Sequence, residues 1–113
     1  MSFPRDRLRR LRGSESLRRM VAETKLSRDD LLLPLFIVEG RGIREPIASM
    51  PGVCRFSVDK VVDEAKRVAD LGVPGIMLFG IPNNKDARGS GADQADGIVQ
   101  RAVSAIKAGA GDL

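Results

Sequence analysis

Apolar positions fall along this chain in two kinds of pattern. The first is continuous. "LLLPLFIV" runs from Leu31 to Val38, and "GIMLFGIP" has its apolar centre at Ile76 to Phe79. Turn-forming and charged residues bound both runs, with Asp29-Asp30 and Glu39-Gly40 around the first and Gly80 and Pro82 after the second. Runs of this length suit strands buried on both faces, as in a parallel sheet. Pro34 falls near the start of its run, where a missing N–H is tolerated.

The second pattern has a helical period. In "SVDKVVDEAKRVADLGV", Val58, Val61, Val62, Ala65, Val68, Ala69 and Leu71 share one face. Ser57 predicts the N-cap, Asp59 suits the positive helix end, and Gly72 with Pro74 beyond predicts the stop. "GIVQRAVSAIKAG" repeats the pattern with Ile98, Val99, Ala102, Val103 and Ile106, and Gly109 as its stop. Its start is less marked, with Asp93 or Asp96 as candidate caps. A narrower stripe of Leu17, Met20, Val21 and Thr24 predicts a short helix in "ESLRRMVAETKL", capped by Ser14, that must lean on something. Residues 1–13, bracketed by Pro4 and Gly13, read as an extended arm whose few apolar residues are Phe3, Leu8 and Leu11. "NNKDARGSGADQAD" reads as a polar loop, and the closing "AGDL" has no partner element.

The predicted order is helix, β, α, β, α. Such an arrangement implies parallel strands joined by a helical crossover, and it does not close. Two strands and two helices cannot cover both faces of the sheet, yet Leu32, Leu33, Leu35, Phe36, Ile76, Met77, Leu78 and Phe79 need neighbours on both sides, and a bare apolar edge invites aggregation. A TIM (β/α)8 barrel has eight such units in typically about 250 residues. The expectation is therefore an α/β chain with two parts. Residues 1–26 form a basic N-terminal arm and short helix. Residues 27–113 form a partial, truncated TIM barrel of strand, helix, strand, helix.

One stretch fits neither pattern. "IREPIASMPG", Ile43 to Gly52, carries two prolines, a buried-looking Ile47 and Met50, and an Arg44-Glu45 pair of the exposed kind that contributes little. It lengthens the spacing between the two predicted strands.

Composition sharpens this picture in one respect. The formal charge of +4 is concentrated at one end: residues 1–25 hold eight basic and three acidic residues, a net +5, and the remainder 11 and 12, a net −1. A lone Cys54 and no histidine exclude an internal disulfide and argue against a structural zinc site. No stretch of about 18 apolar residues suggests a membrane span, and the start lacks a secretory apolar segment, so a cytoplasmic protein is expected.

Three segments carry a resemblance: "RLRRLRGSESLRRMVAETKLSRDDLLLPLFIVEG", "IREPIASMPGVCRFSVDKVVDEAKRVADLGVPGIMLFGIP" and "KDARGSGADQADGIVQRAVSAIK". Together they cover essentially the whole chain, which resembles the porphobilinogen synthase (delta-aminolevulinic acid dehydratase) family. The "REPIxSMPG" and "LFGxPxxKDxxGS" patterns are the specific ones. The resemblance implies a TIM barrel with an arm that embraces a neighbouring subunit, commonly in a homo-octamer. It implies condensation of two molecules of 5-aminolevulinate to porphobilinogen on the way to haem and other tetrapyrroles, with zinc or magnesium in many members. The chemistry rests on two lysines, at least one of which forms a Schiff base. A lysine suits this when burial or a second cation lowers its pKa.

The resemblance places those lysines on late strands, and the aspartate and metal-binding cysteines after the next strand. No catalytic or metal-binding residue is expected in this chain, which is expected to be inactive alone. Lys25, Lys60, Lys66, Lys85 and Lys107 fall on predicted helix surfaces or loops. Phe79 ends the second strand, where the family uses a phenylalanine to line the substrate pocket. Arg9, Arg10 and Arg12 are the candidates for a subunit-interface or allosteric site. Cys54 and Asp93-Gln94-Ala95 depart from the family's usual aromatic and aromatic–Asx–Pro residues, which suits either relaxed constraint or a divergent member.

Alternative readings rest on particular residues. The arm could dock on a full-length synthase as a non-catalytic assembly partner. Its arginines also suit phosphates, but no aromatics are interleaved and Asp6 sits among them, which argues against nucleic acid. "KDARGSG" lacks the spacing of a phosphate loop and reads as a flexible rim loop. Cys54 has no histidine to activate it and reads as a small buried apolar residue.

Overall fold

The computed structural model describes residues 4–113. Residues 1–3, the beginning of the predicted arm with Phe3, lie outside the described residues. The chain folds as a mixed α/β structure with a four-stranded sheet in the order β2-β3-β1-β4. The first apolar run is β1, Leu32–Val38, and the second is β4, Gly75–Ile81. They pair in parallel along all seven residues, from Leu32 opposite Gly75 to Val38 opposite Ile81. The helix between them is α2, Val58–Asp70, and α3, Ile98–Gly109, follows β4.

Sequence periodicity did not reveal the other two strands. "IREPIASMPG" opens a hairpin: β2, Arg44–Pro46, pairs antiparallel with β3, Cys54–Phe56, and β3 adds in parallel to β1. The Ile47 N–H donates to the Val53 carbonyl at 2.9 Å, and the Met50 N–H to the Ile47 carbonyl at 3.0 Å. Met50 is exposed at the hairpin end rather than buried, whereas Ile47 is half-buried. Arg44 and Glu45 do not pair, because neighbours on a strand face opposite sides; the Arg44 guanidinium lies over the Phe56 ring instead. Three-residue strands are too short to display a period, which explains why the stretch looked irregular.

One face of the sheet is packed. Leu35, Ile37 and Phe56 meet Val61, Ala65, Ile98, Ala102 and Ile106 in a single buried cluster. The predicted helix faces are narrower than expected, since Ala69, Leu71 and Val103 are exposed. The closing segment does find partners, with Ala110 and Leu113 packing against the cluster and the Leu113 carbonyl accepting from Lys107 Nζ at 2.6 Å. Gly72 adopts φ +79°, the left-handed stop that ends α2. Beside it, Arg28 Nη1 donates to the Leu71 carbonyl at 3.1 Å, placing a cation at the negative helix end.

The N-terminal region does not join this core. The predicted helix is only α1, Glu15–Val21, with the Ser14 hydroxyl accepting from the Leu17 N–H. It stops seven residues in, at an extended Ala22. Short helices depend on packing, and Met20 is 81% exposed, so nothing supports a further turn. Extension of this segment shows in the dimensions. The radius of gyration is 21.1 Å, against about 13 Å for a compact domain of this length. Accessible surface is 8901 Å², against roughly 6,100 Å² for a compact protein of this mass.

Candidate functional site

In parallel sheets, sites gather at the carboxyl ends of the strands. Here the loop 82–97 crosses that end and folds back over the first turn of α3, enclosing a cleft of about 760 Å³. Its walls include Glu39, just past β1, and Gln100 and Arg101 of α3. Arg101 holds Glu39 through Nη2 at 2.7 Å and the Asp96 carbonyl through Nε at 3.0 Å. Gln100 Nε2 donates to the Ala92 carbonyl at 2.6 Å. Gly80 lets α3 approach closely, since a Cβ there would lie 2.8 Å from Ile98 Cγ2 and 2.7 Å from Val99 Cγ2. The N-cap of α3 is Gly97, without a side-chain cap, rather than Asp93 or Asp96.

The glycine-containing "KDARGSG" segment is organised around its own aspartate. Asp86 accepts from the Ser90 hydroxyl, from the Ser90 N–H at 2.9 Å and from the Arg88 N–H at 3.1 Å. Those bonds, the Ser90 hydroxyl first, hold its carboxyl below the usual range. A second knot ties the loop after β1 to the start of α2. Buried Ser57 accepts from the Ile43 N–H at 2.9 Å and donates to Asp59 at 2.6 Å. Asp59 also accepts from the Gly42 N–H, and the Ser57 hydroxyl is the main reason its carboxyl is held below the usual range. Ser57 stands at the N-cap but makes no side-chain cap to its own helix; its hydroxyl instead joins Ile43 to Asp59.

Among the described residues, no element covers the other face of the sheet. Leu32, Met77 and Phe79 are 53%, 47% and 46% exposed. The pairing register aligns Glu45, Arg55, Phe36 and Phe79 across all four strands on this face. Phe36 and Phe79 stack with ring centroids 5.6 Å apart. Phe79 therefore stands on the open face near the strand ends and does not line the 760 Å³ cleft. Arg55 was missed in the sequence. Its signal was the single charge between apolar neighbours in "VCRFS", which alternation would place on one face of a strand. The structure buries its Nε without a hydrogen-bond partner.

Arg9, Arg10 and Arg12 lie in an exposed arm, with a single 3₁₀ turn at Arg10–Arg12. Arg18 Nη1 donates to the Arg12 carbonyl at 3.0 Å. Lys25, Lys60, Lys66, Lys85 and Lys107 are all exposed, in separate places. Cys54 is half-buried against the core cluster. No three His, Cys, Asp or Glu side chains gather to hold a metal ion among the described residues. No helix among the described residues is long and apolar enough to cross a membrane.

Comparison with known proteins gives one consistent result. A sequence profile described as delta-aminolevulinic acid dehydratase matches residues 5–113. The delta-aminolevulinic acid dehydratase of Synechococcus elongatus is 55% identical over 105 residues, which cover 93% of this chain and 32% of that protein. The one from Synechocystis is 54% identical over 111 residues, covering 98% of this chain and 34% of that protein. A crystal structure of delta-aminolevulinic acid dehydratase (porphobilinogen synthase) from Toxoplasma gondii, in complex with the reaction product porphobilinogen, superposes with a TM-score of 0.85 at 29% identity. It covers 96% of this chain and 31% of that one. The chain spans about a third of the length of the curated relatives it matches.

Proposed function

Because the chain belongs to the delta-aminolevulinic acid dehydratase family, we propose that it supplies the arm and opening units of a porphobilinogen synthase barrel. In this reading β1 and β4 are the first two barrel strands, α2 and α3 the helices that follow them, and residues 1–26 the arm. The complete barrel condenses two molecules of 5-aminolevulinate to porphobilinogen. This chain's own part is to build one wall. Phe79, stacked on Phe36, offers an apolar surface near the strand ends to the carbon skeleton of the substrate. The Schiff-base lysines come from elsewhere in the barrel, and the chain alone is inactive. Arg9, Arg10 and Arg12 pack at a subunit interface or allosteric site, and the protein works in the cytoplasm.

The observation that carries this reading is the apolar open face itself, which needs the rest of a barrel to bury it. The test is porphobilinogen formation from 5-aminolevulinate. We expect none from the 113-residue chain, and turnover when it is combined with, or fused to, the remaining two thirds of the Synechococcus relative. Turnover by the chain alone would refute its inactivity, and a silent fusion would sink the barrel reading. A second reading is favoured by the exposed leucines of the N-terminal region, Leu8, Leu11 and Leu26. These suit docking on a full-length synthase as an assembly partner, and co-sedimentation with that enzyme separates this role from an arm that waits for its own barrel.

A further inference from the structure

The open face of the sheet is apolar along β1 and β4, with one cation beside it among the described residues. That cation is Arg55 of β3, in register with Phe36 and two strands from Phe79. Its situation is unlike that of the neighbouring arginines. Arg28 holds a carbonyl, Arg44 lies over Phe56, Arg67 pairs with Glu64 and Arg101 with Glu39. Arg55 has none of these. Glu45 stands directly opposite it on β2, yet no ion pair joins the two among the described residues, and Glu45 points its exposed side chain to solvent at the sheet's outer strand. The Nε is already shut away from water with no acceptor.

A half-buried guanidinium tolerates this only while its outer nitrogens reach water. Any polypeptide that covers the open face removes that water. Burying an unpaired charge is strongly unfavourable, whereas a guanidinium given a carboxylate forms a two-pronged, charge-assisted pair. We propose that Arg55 is an anchoring residue for the polypeptide that closes the open face, and that this polypeptide brings an aspartate or glutamate to it. The inference rests on the barrel reading above and names what the closing part must carry: apolar side chains over Met77 and Phe79, and one carboxylate over Arg55.

The experiment measures the dissociation constant between the 113-residue chain and the remaining two thirds of the Synechococcus relative, for the native chain and for Arg55→Met, Arg55→Lys and Glu45→Gln. Truncating one partner of a buried charge pair weakens binding roughly thirtyfold or more, so Arg55→Met should lose at least that. Arg55→Lys should fall between, keeping charge without the fork. Glu45→Gln should bind as the native chain does. Arg55→Glu should be restored by a lysine at one acidic position of the partner. Far-UV circular dichroism checks that each variant folds, and Arg55→Lys carries the test if Arg55→Met does not. Native-like binding by both Arg55→Met and Arg55→Lys overturns the anchor alone. A loss on Glu45→Gln equal to that on Arg55→Met also overturns it, because the counter-charge would then be internal. Failure of the native chain to bind overturns the barrel reading, and the anchor with it.

Discussion

The same two strands present two faces of similar composition with opposite fates. On one, Leu35 is 4% exposed and Ile37 fully buried; on the other, Leu32, Met77 and Phe79 keep about half their surface in water. Side-chain chemistry does not distinguish them, since leucine stands on both. What differs is that α2 and α3 stand over the first and, among the described residues, nothing stands over the second. The first face is therefore a finished core and the second half of one. Burial of a large apolar side chain is worth about 1.5–3 kcal/mol, so the open face stores stabilisation realised only on covering.

The largest test of this contrast is a matched pair of truncations. Ile37→Ala should cost the chain about 2–5 kcal/mol in urea unfolding followed by circular dichroism, as buried aliphatic truncations do. Met77→Ala should cost less than about 0.5 kcal/mol in the same experiment, as surface changes do. Equal losses would break the comparison, and would mean that the second face is covered in solution.

Next in size is Gly80→Ala. The new methyl meets Ile98 and Val99 on the covered side, closer than carbon atoms stand in ordinary contact, so α3 must shift. Overpacking of this kind costs typically about 1–3 kcal/mol. A substitution without loss would show that α3 is loosely held, weakening the claim that this face is complete.

The knot at the start of α2 belongs to the same finished side. Ser57→Ala removes the acceptor for the Ile43 N–H and the donor to Asp59, and should cost about 1–3 kcal/mol. It also has a pH signature. The folded-state pKa of Asp59 is depressed, chiefly by the Ser57 hydroxyl. Its stabilisation is therefore fully present above the ordinary aspartate pKa of about 3.9 and is lost as pH falls through the lowered folded value. Asp59→Asn and Ser57→Ala should both flatten the fall in stability below about pH 4. An unchanged acid limb in both variants would remove Asp59 from the account.

How much of this was legible in the sequence follows from length. β1, α2, β4 and α3 each run long enough to show a period or an unbroken apolar run, and their places were readable from Leu32–Val38, Val61, Ala65 and Ile98. β2 and β3 were not, because three residues hold no period and their pairing is set by β1, which is distant in sequence. α1 was overextended because its stripe was read as if something would pack on it. The open face was foreseen from the lack of covering elements. Phe79 could be singled out as the last aromatic of its run, but Arg55 needed the hairpin before its row with Phe36 and Phe79 could be seen.

The smallest expected effect sharpens the comparison from outside the sheet. Residues 4–13 are exposed throughout, and α1 packs on the Arg10–Arg12 turn. Arg28, well beyond them, ties the chain to the end of α2. Removing residues 1–13 should therefore change unfolding of the chain by less than about 0.5 kcal/mol, while the radius of gyration in X-ray scattering falls from 21.1 Å toward the compact value. A loss of stability on this deletion would mean that Leu8 and Leu11 reach an apolar surface in solution, and the open face of the sheet is the largest one available to them.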